Sequence, residues 1–149
     1  YEAMECLGGN GYIEDGPLAR YYREAPVNAI WEGSGNVMAL DLLRVMSRAP
    51  NILDEVLNDI EDGLGRDAGD TTTVLRAARD VAASDEGSAR LFTEQLALSG
   101  AGAELRRLGA GRIADAFIAT RLGGQWRSTY GMLGPRHDPS LIVESLFPA

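Results

Sequence analysis

The residues best suited to chemistry lie in one short run, Ile30-Trp31-Glu32-Gly33-Ser34-Gly35-Asn36. It sets an ionisable carboxylate beside an aromatic ring, directly ahead of a Gly/Ser segment that opens a helix. A carboxylate held against apolar groups can act as a general base. The free N–H groups of a glycine-flanked helix start can accept an anion such as a phosphate. The same seven residues also spell a plain turn with Ser34 as the helix cap, and the run alone leaves both readings open.

The chain offers little material for a different kind of centre. Among its 149 residues there is 1 histidine and 1 cysteine. Cys6 has no partner for an internal disulfide and no companions for metal ligation, so it reads as a small buried hydrophobe. His137 stands in a Gly/Pro-rich tail, which argues against a metal centre built on several histidines and against a Ser-His-Asp triad. The longest apolar runs are a few residues, far short of the ~20 a membrane helix needs. The first residues lack the basic-then-apolar pattern of a signal segment, so the expectation is a cytoplasmic protein with no membrane partner.

A hydrophobic fraction of 45% and a charged fraction of 24% are ordinary for a globular chain with a sizeable core. The net charge of −8 argues against general nucleic-acid binding, but it is unevenly spread. Acids dominate residues 49–86, whereas 87–149 is mildly basic. Every one of the 14 cations is arginine.

The elements that must position the opening run read as helices. Ala3, Met4 and Leu7 have the spacing of an amphipathic helix already under way at Tyr1, which leads us to expect a C-terminal piece of a larger protein. Gly8-Gly9-Asn10-Gly11 is too glycine-rich to continue that helix and predicts a tight turn with a close backbone approach. Residues 12–28 read as an irregular connection in which Pro17 starts a short helix through Arg23 and Pro26 ends it. Ser34 caps a helix to about Arg48, with Met38, Leu42, Val45 and Met46 inward.

Past Pro50, a helix of 51–64 carries Leu53, Val56, Leu57, Ile60 and Leu64 on one stripe. Its other side is a solvated acidic face of Asp54, Glu55, Asp59, Glu61 and Asp62. Gly63, Gly65 and Gly69 mark a loop. Asp70 or Thr71 then caps a helix of 71–84 with Val74, Leu75, Ala78 and Val81 inward. A helix of 86–108 shows Leu91, Phe92 and Leu96, and the patch Ser99-Gly100-Ala101-Gly102-Ala103 permits close helix contact. A helix of 112–132 aligns Ala114, Ile118, Leu122, Trp126 and Tyr130 as core positions, kinked at Gly123-Gly124. A last helical turn falls at 140–146. No alternating apolar/polar run argues a strand, so the expected fold is all-α, an antiparallel helical bundle.

Two glycine turns, Gly8-Gly9-Asn10-Gly11-Tyr12 and Glu32-Gly33-Ser34-Gly35, are bridged by Arg20-Tyr21-Tyr22-Arg23-Glu24. In order and spacing these three motifs resemble the C-terminal helical domain of the acyl-CoA dehydrogenase family. The resemblance is dense over residues 1–48. Glu2-Ala3-Met4-Glu5 at the start, Pro26-Val27-Asn28 before the central run and a long helical extension beyond Pro50 are similar to the AidB-like, alkylation-response subgroup. The implied division is residues 1–49 as part of the dehydrogenase domain and 50–149 as an AidB-type extension.

The resemblance implies a flavin-dependent oxidoreductase that removes two hydrogens from an acyl-CoA thioester. It places Glu32 where the family has its catalytic base, and Gly33 where room is left for the thioester substrate. It places Trp31, Ser34 and Asn36 at contacts to FAD, with Leu7, Gly8 and Gly9 on a strip touching FAD held mainly by a neighbouring subunit of a homotetramer. Glu5 stands where the family has a flavin-contacting glutamine, and a carboxylate is a poor neighbour for a pyrophosphate. Arg20 and Arg23 could fix the loop by salt bridges or touch ligand. An alternative is a DNA-associated protein of the AidB type with a residual dehydrogenase site, resting on Arg90, Arg106, Arg107, Arg112, Arg121, Arg127 and Arg136 lying on one face. A plainer use of those arginines is ion pairing with the acidic segment 54–70.

Overall fold

The computed structural model describes residues 1–65, 70–123, 130–131 and 133–147. The fold is all-α, with no strand among the described residues. The helices are α1 (Glu2–Cys6), α2 (Gly9–Tyr12), α3 (Leu18–Glu24), α4 (Gly35–Arg48), α5 (Pro50–Leu64), α6 (Thr71–Ser84), α7 (Ala89–Arg107), α8 (Gly111–Arg121) and α9 (Pro139–Leu146). The chain divides into two compact units, Tyr1–Met38 and Ala39–Ala149.

In the first unit the backbone breaks at Gly8, whose φ of 55° lies in the left-handed region open to glycine. The glycine run then winds into α2, where a tight non-helical turn was expected, because only Gly8 takes the unusual conformation. The expected close approach is present. A Cβ on Gly11 would overlap the Met4 carbonyl oxygen and lie 2.8 Å from Met4 Cα. The expected irregular stretch 12–28 is largely helical, with α3 running directly into a 3-10 helix, Ala25–Ala29. Pro26 sits in the first turn of that helix and does not end the helical path, since a first-turn N–H has no intrahelical acceptor to lose. Cys6 is exposed, contrary to the expected buried hydrophobe, because α1 buries none of its five residues.

The second unit is built on α7, which packs against α5, α6 and α8. Phe92, Leu57, Leu64 and Leu75 are wholly buried, joined by Met46, Leu53, Ile60, Ala78, Ala82, Ala103 and Ile118 in one cluster. The small patch of α7 does what its composition predicts. A Cβ on Gly102 would stand 3.1 Å from Ile118 Cγ1 and 3.2 Å from Leu64 Cδ2, so α5 and α8 approach the helix closely there. Gly63, expected in a loop, lies within α5. A Cβ on it would come 2.8 Å from Ala103 Cβ, so it is the α5 side of the same close contact.

The burial stripes are narrower than the sequence pattern. In α4 Ala39 and Met46 are buried and Leu42 and Leu43 partly so, which keeps Leu42 and Met46 of the expected inward set, while Met38 and Val45 are exposed. Val56, Val74, Val81 and Leu91 are exposed too, because each helix buries one i, i+3/i+4 row and leaves the flanking β-branched or leucine position outside. The acidic side of α5 is not simply solvated. Glu61 and Asn58 take Arg76 at 2.5 and 2.7 Å, Asp54 takes Arg79 at 2.7 Å and Asp59 takes Arg107 at 2.9 Å, tying α5 to α6 and α7. Partly exposed pairs of this kind contribute about 0–1 kcal/mol each.

The helix expected over 112–132 is described as α8, ending at Arg121. Gly124, Trp126 and Arg127 lie outside the described residues, and the expected core residue Tyr130 is exposed, with the Arg121 guanidinium 4.7 Å above its ring. Asp138 caps α9 by accepting from Ser140 N–H. No described helix is long and apolar enough to cross a membrane.

Truncating the wholly buried centre should be costly. Phe92→Ala is expected to destabilise the chain by about 3–5 kcal/mol, whereas Val81→Ala on the exposed flank of α6 should stay within about 0.5 kcal/mol. Urea unfolding followed by far-UV circular dichroism reads both.

Candidate active site

The 3-10 helix Ala25–Ala29 delivers the chain into a tight turn. Ile30 N–H and Trp31 N–H both donate to the Val27 carbonyl, at 2.9 and 3.0 Å, and Gly33 N–H donates to the Ile30 carbonyl at 3.1 Å. Met38 N–H then donates to the Ser34 carbonyl at 3.1 Å as α4 begins. The exit from the turn requires φ of +116° at Gly33, a conformation L side chains rarely adopt. Space is not the constraint, because a Cβ there would meet Val37 Cγ1 at 3.6 Å and Met38 Sδ at 3.7 Å, ordinary contacts.

This geometry leaves Glu32 between two hydrogen-bonded neighbours with no acceptor for its own N–H among the described residues. Its side chain is exposed, and Trp31 beside it is 69% exposed. Ser34 precedes α4 and Asn36 lies in its first turn, both exposed. The turn therefore brings together Trp31, Glu32, Gly33, Ser34 and Asn36. The Glu32 carboxylate, the backbone N–H beside it and the helix start share one loop of seven residues.

The other expected residues gather at the α1–α2 junction. Gly8 N–H donates to the Glu5 carbonyl at 3.0 Å, Leu7 is exposed, and a Cβ on Gly8 or Gly9 would meet nothing within 4 Å. Gly8 and Gly9 thus present bare backbone. The Glu5 carboxylate is on the exposed side of α1.

Arg23 closes onto Glu14 with both guanidinium ends, Nη1 to Oε1 at 2.7 Å and Nη2 to Oε2 at 2.9 Å. That hydrogen bonding, followed by the charge of Arg23, holds the Glu14 carboxyl below the usual carboxylate range. Arg20 Nε donates to Glu24 at 2.8 Å. Arg23 thus fastens the connection before α3 to that helix, whereas the Arg20–Glu24 pair lies within α3. Glu14 escaped notice in the sequence because a partner nine positions away follows no helical or strand period.

Several arginines of the last third are engaged within the fold. Arg106 pairs with Asp115 at 2.8 Å, Arg107 with Asp59 and Glu104, and Arg121 with the Tyr130 ring.

Residues 1–47, which hold both glycine turns and the arginine bridge, match the acyl-CoA dehydrogenase C-terminal domain. The chain is also 40% identical over 121 residues to AidB of Escherichia coli (strain K12), a match that covers 81% of the chain and 22% of the relative. Acyl-CoA dehydrogenase family member 11 of Caenorhabditis elegans is 48% identical over 64 residues, covering 43% of the chain and 10% of the relative. The mitochondrial short-chain specific acyl-CoA dehydrogenase of Bos taurus is 40% identical over 40 residues, covering 27% of the chain and 10% of the relative. The chain thus spans less than a quarter of the length of each of these relatives.

Two outcomes follow for the loop. Gly33→Ala is expected to strain the turn by about 1–3 kcal/mol, lowering the urea midpoint, while Gly16→Ala, with open space around it, should not. The Glu14–Arg23 pair stabilises above the ordinary carboxylate range, and its contribution is lost as pH falls through the lowered Glu14 value. A carbon-13 NMR titration should place the Glu14 carboxyl below that range, and Arg23→Gln should return it there.

Proposed function

We propose that the chain contributes the base-bearing part of a flavin-dependent acyl-CoA dehydrogenase-like oxidoreductase, with Glu32 as the base that takes the α-proton of an acyl-CoA thioester. The observation that carries this reading is the pairing, in one turn, of the Glu32 carboxylate with its own N–H left without an acceptor. Loss of an α-proton places negative charge on the thioester oxygen, and a pre-oriented backbone donor stabilises that charge at the moment it forms. The Cα–H bond breaks toward a Glu32 carboxylate oxygen, and its electron pair becomes the new Cα=Cβ bond as hydride leaves the β-carbon. FAD, when bound, supplies the acceptor for that hydride.

The residues here suit such a cofactor in part. The exposed Trp31 ring and the bare backbone of Gly8 and Gly9 can face a flat aromatic edge, with Leu7, Ser34 and Asn36 flanking them. Glu5 does not suit a pyrophosphate, so we assign it no favourable contact. Gly33 leaves the thioester free to approach the turn. We assign residues 1–49 to the dehydrogenase domain and 50–149 to an AidB-type extension, a division supported by the family match ending at residue 47 and by the break at Ala49–Pro50 between α4 and α5. The functional unit we propose is a cytoplasmic homotetramer with the flavin site shared between subunits.

The alternative of a DNA-associated AidB-type protein rests on the arginines of the last third of the chain. It loses support from the pairing of Arg106 and Arg107 with carboxylates, which occupies two of the cations it needs for phosphate. The dehydrogenase reading is the one we carry.

Glu32→Gln in the full-length protein is expected to abolish bleaching of the flavin absorbance by acyl-CoA while leaving the flavin bound. Undiminished reduction by the variant would overturn the assignment of Glu32.

A further inference from the structure

Gly8, Gly9 and Gly11 all lie at the α1–α2 junction, and the fold uses each differently. Gly8 takes a φ of 55°. Gly9 has no positive φ, and nothing lies within 4 Å of the place a Cβ would take. Gly11 is the buried one. A Cβ there would overlap the Met4 carbonyl oxygen and stand 2.8 Å from Met4 Cα and 2.9 Å from the Met4 carbonyl carbon. These atoms are all backbone, so no side-chain rotation relieves the overlap, and any side chain at this position drives α2 away from α1.

The same few residues carry the hydrogen bonds that shape the strip Leu7-Gly8-Gly9. Leu7 N–H donates to the Met4 carbonyl at 3.1 Å, Gly8 N–H to the Glu5 carbonyl at 3.0 Å, and Gly11 N–H to the Gly8 carbonyl at 3.0 Å. Gly11 is therefore tied to the strip twice. The space beside its α-carbon is taken by the carbonyl that holds Leu7, and its own N–H holds Gly8. Leu7, Gly8 and Gly9 are exposed, so the strip is the accessible part of a closure whose buried member is Gly11.

We propose that Gly11 is the positioning residue of this strip: by lacking a side chain it lets α2 close on Met4, and that closure sets where the backbone of Leu7, Gly8 and Gly9 stands when FAD approaches. The proposal rests on the reading above that the strip faces FAD, and Gly11 itself touches no cofactor. Alanine is ordinarily the better helix residue, yet here it shifts the strip and weakens FAD. The coupling is reciprocal, so FAD on the strip steadies the closure in return.

The test measures FAD affinity of the full-length protein by equilibrium dialysis, with hydrogen–deuterium exchange of residues 1–13 alongside. Gly11→Ala is expected to weaken FAD by about tenfold or more and to speed exchange in that segment, while exchange across α5–α8 and the acyl-CoA KM at saturating FAD stay as they were. Adding Met4→Ala, which trims only a side chain, should not restore the affinity. Gly16→Ala, in open space, should leave FAD affinity unchanged. In the wild-type apoprotein FAD should slow exchange in residues 1–13, a readout that needs no variant. Gly9→Leu reports on the underlying reading, because its side chain starts in open space within the chain and projects from the strip itself. Faster exchange in Gly11→Ala with FAD affinity retained would mark a merely structural glycine, and with Gly9→Leu weakening FAD it would overturn the positioning role alone. Affinity unchanged in both variants, or no protection of residues 1–13 by FAD, would overturn the strip reading and the positioning role together.

Discussion

The second unit depends on how closely α7 lets its neighbours approach. Gly63 of α5 meets Ala103 of α7 where any Cβ would collide, and Gly102 of α7 faces Leu64 and Ile118 where a Cβ would already crowd them. A glycine inside a helix costs about 1 kcal/mol of propensity relative to alanine, and the patch holds two of them. The cost is offset because helices in close contact place Leu57, Leu64, Leu75 and Phe92 beyond the reach of water. Burying a leucine or phenylalanine side chain contributes about 1.5–3 kcal/mol, so a contact that seals several of them outweighs two glycines. Ser99 shows the same preference for size over polarity. It is fully buried with no partner for its hydroxyl among the described residues, and it is tolerated where a larger apolar side chain would push the helices apart.

The first unit is organised on an opposite principle. Only Gly11 and Ala19 are buried in it, while Tyr1, Leu7, Tyr12, Ile30 and Trp31 are each more than half exposed. Its shape therefore comes from local backbone constraints. Positive φ at Gly8 and Gly33 fixes two reversals, the absence of a Cβ on Gly11 lets α2 close over Met4, and the fork of Arg23 on Glu14 fastens the start of the connection to α3. Such devices define the path of a chain without supplying much burial, which suits a segment whose role is to present a turn.

Much of this was legible in the sequence where one cause dominates. Leu53, Leu57, Ile60 and Leu64 repeat at helical spacing, and α5 and α6 fall where that spacing puts them. The turn at Glu32 was legible as a turn because two glycines and a serine do not continue a helix and can begin one. Legibility failed where the cause was tertiary. In α4 the expected Leu42 and Met46 turn inward, but Ala39 takes the buried place expected of Met38, since hydrophobicity alone does not say which neighbouring position faces the core. Gly63 read as a loop signal because nothing local announces that Ala103, forty residues on, needs the space. The acids of α5 read as solvated because their arginine partners stand on other helices. A pocket beside α9 could not be read at all, since its lining comes from segments far apart in the chain.

The exposure of Glu32 bears directly on the proposed reaction. A carboxylate in water is too weak a base for a thioester α-proton, and burial against apolar groups raises its proton affinity. In the first unit the groups able to do this, Ile30, Trp31, Val37 and Met38, surround the turn but are themselves exposed. For the proposed reaction, a surface that covered them would remove apolar area from water and dry Glu32 in the same act. The Glu32 N–H constrains that surface further. If the cover supplied an acceptor, the donor would be consumed before substrate arrived. An apolar cover satisfies both demands, and the apolar side chains ringing the turn are the surface such a cover would fit.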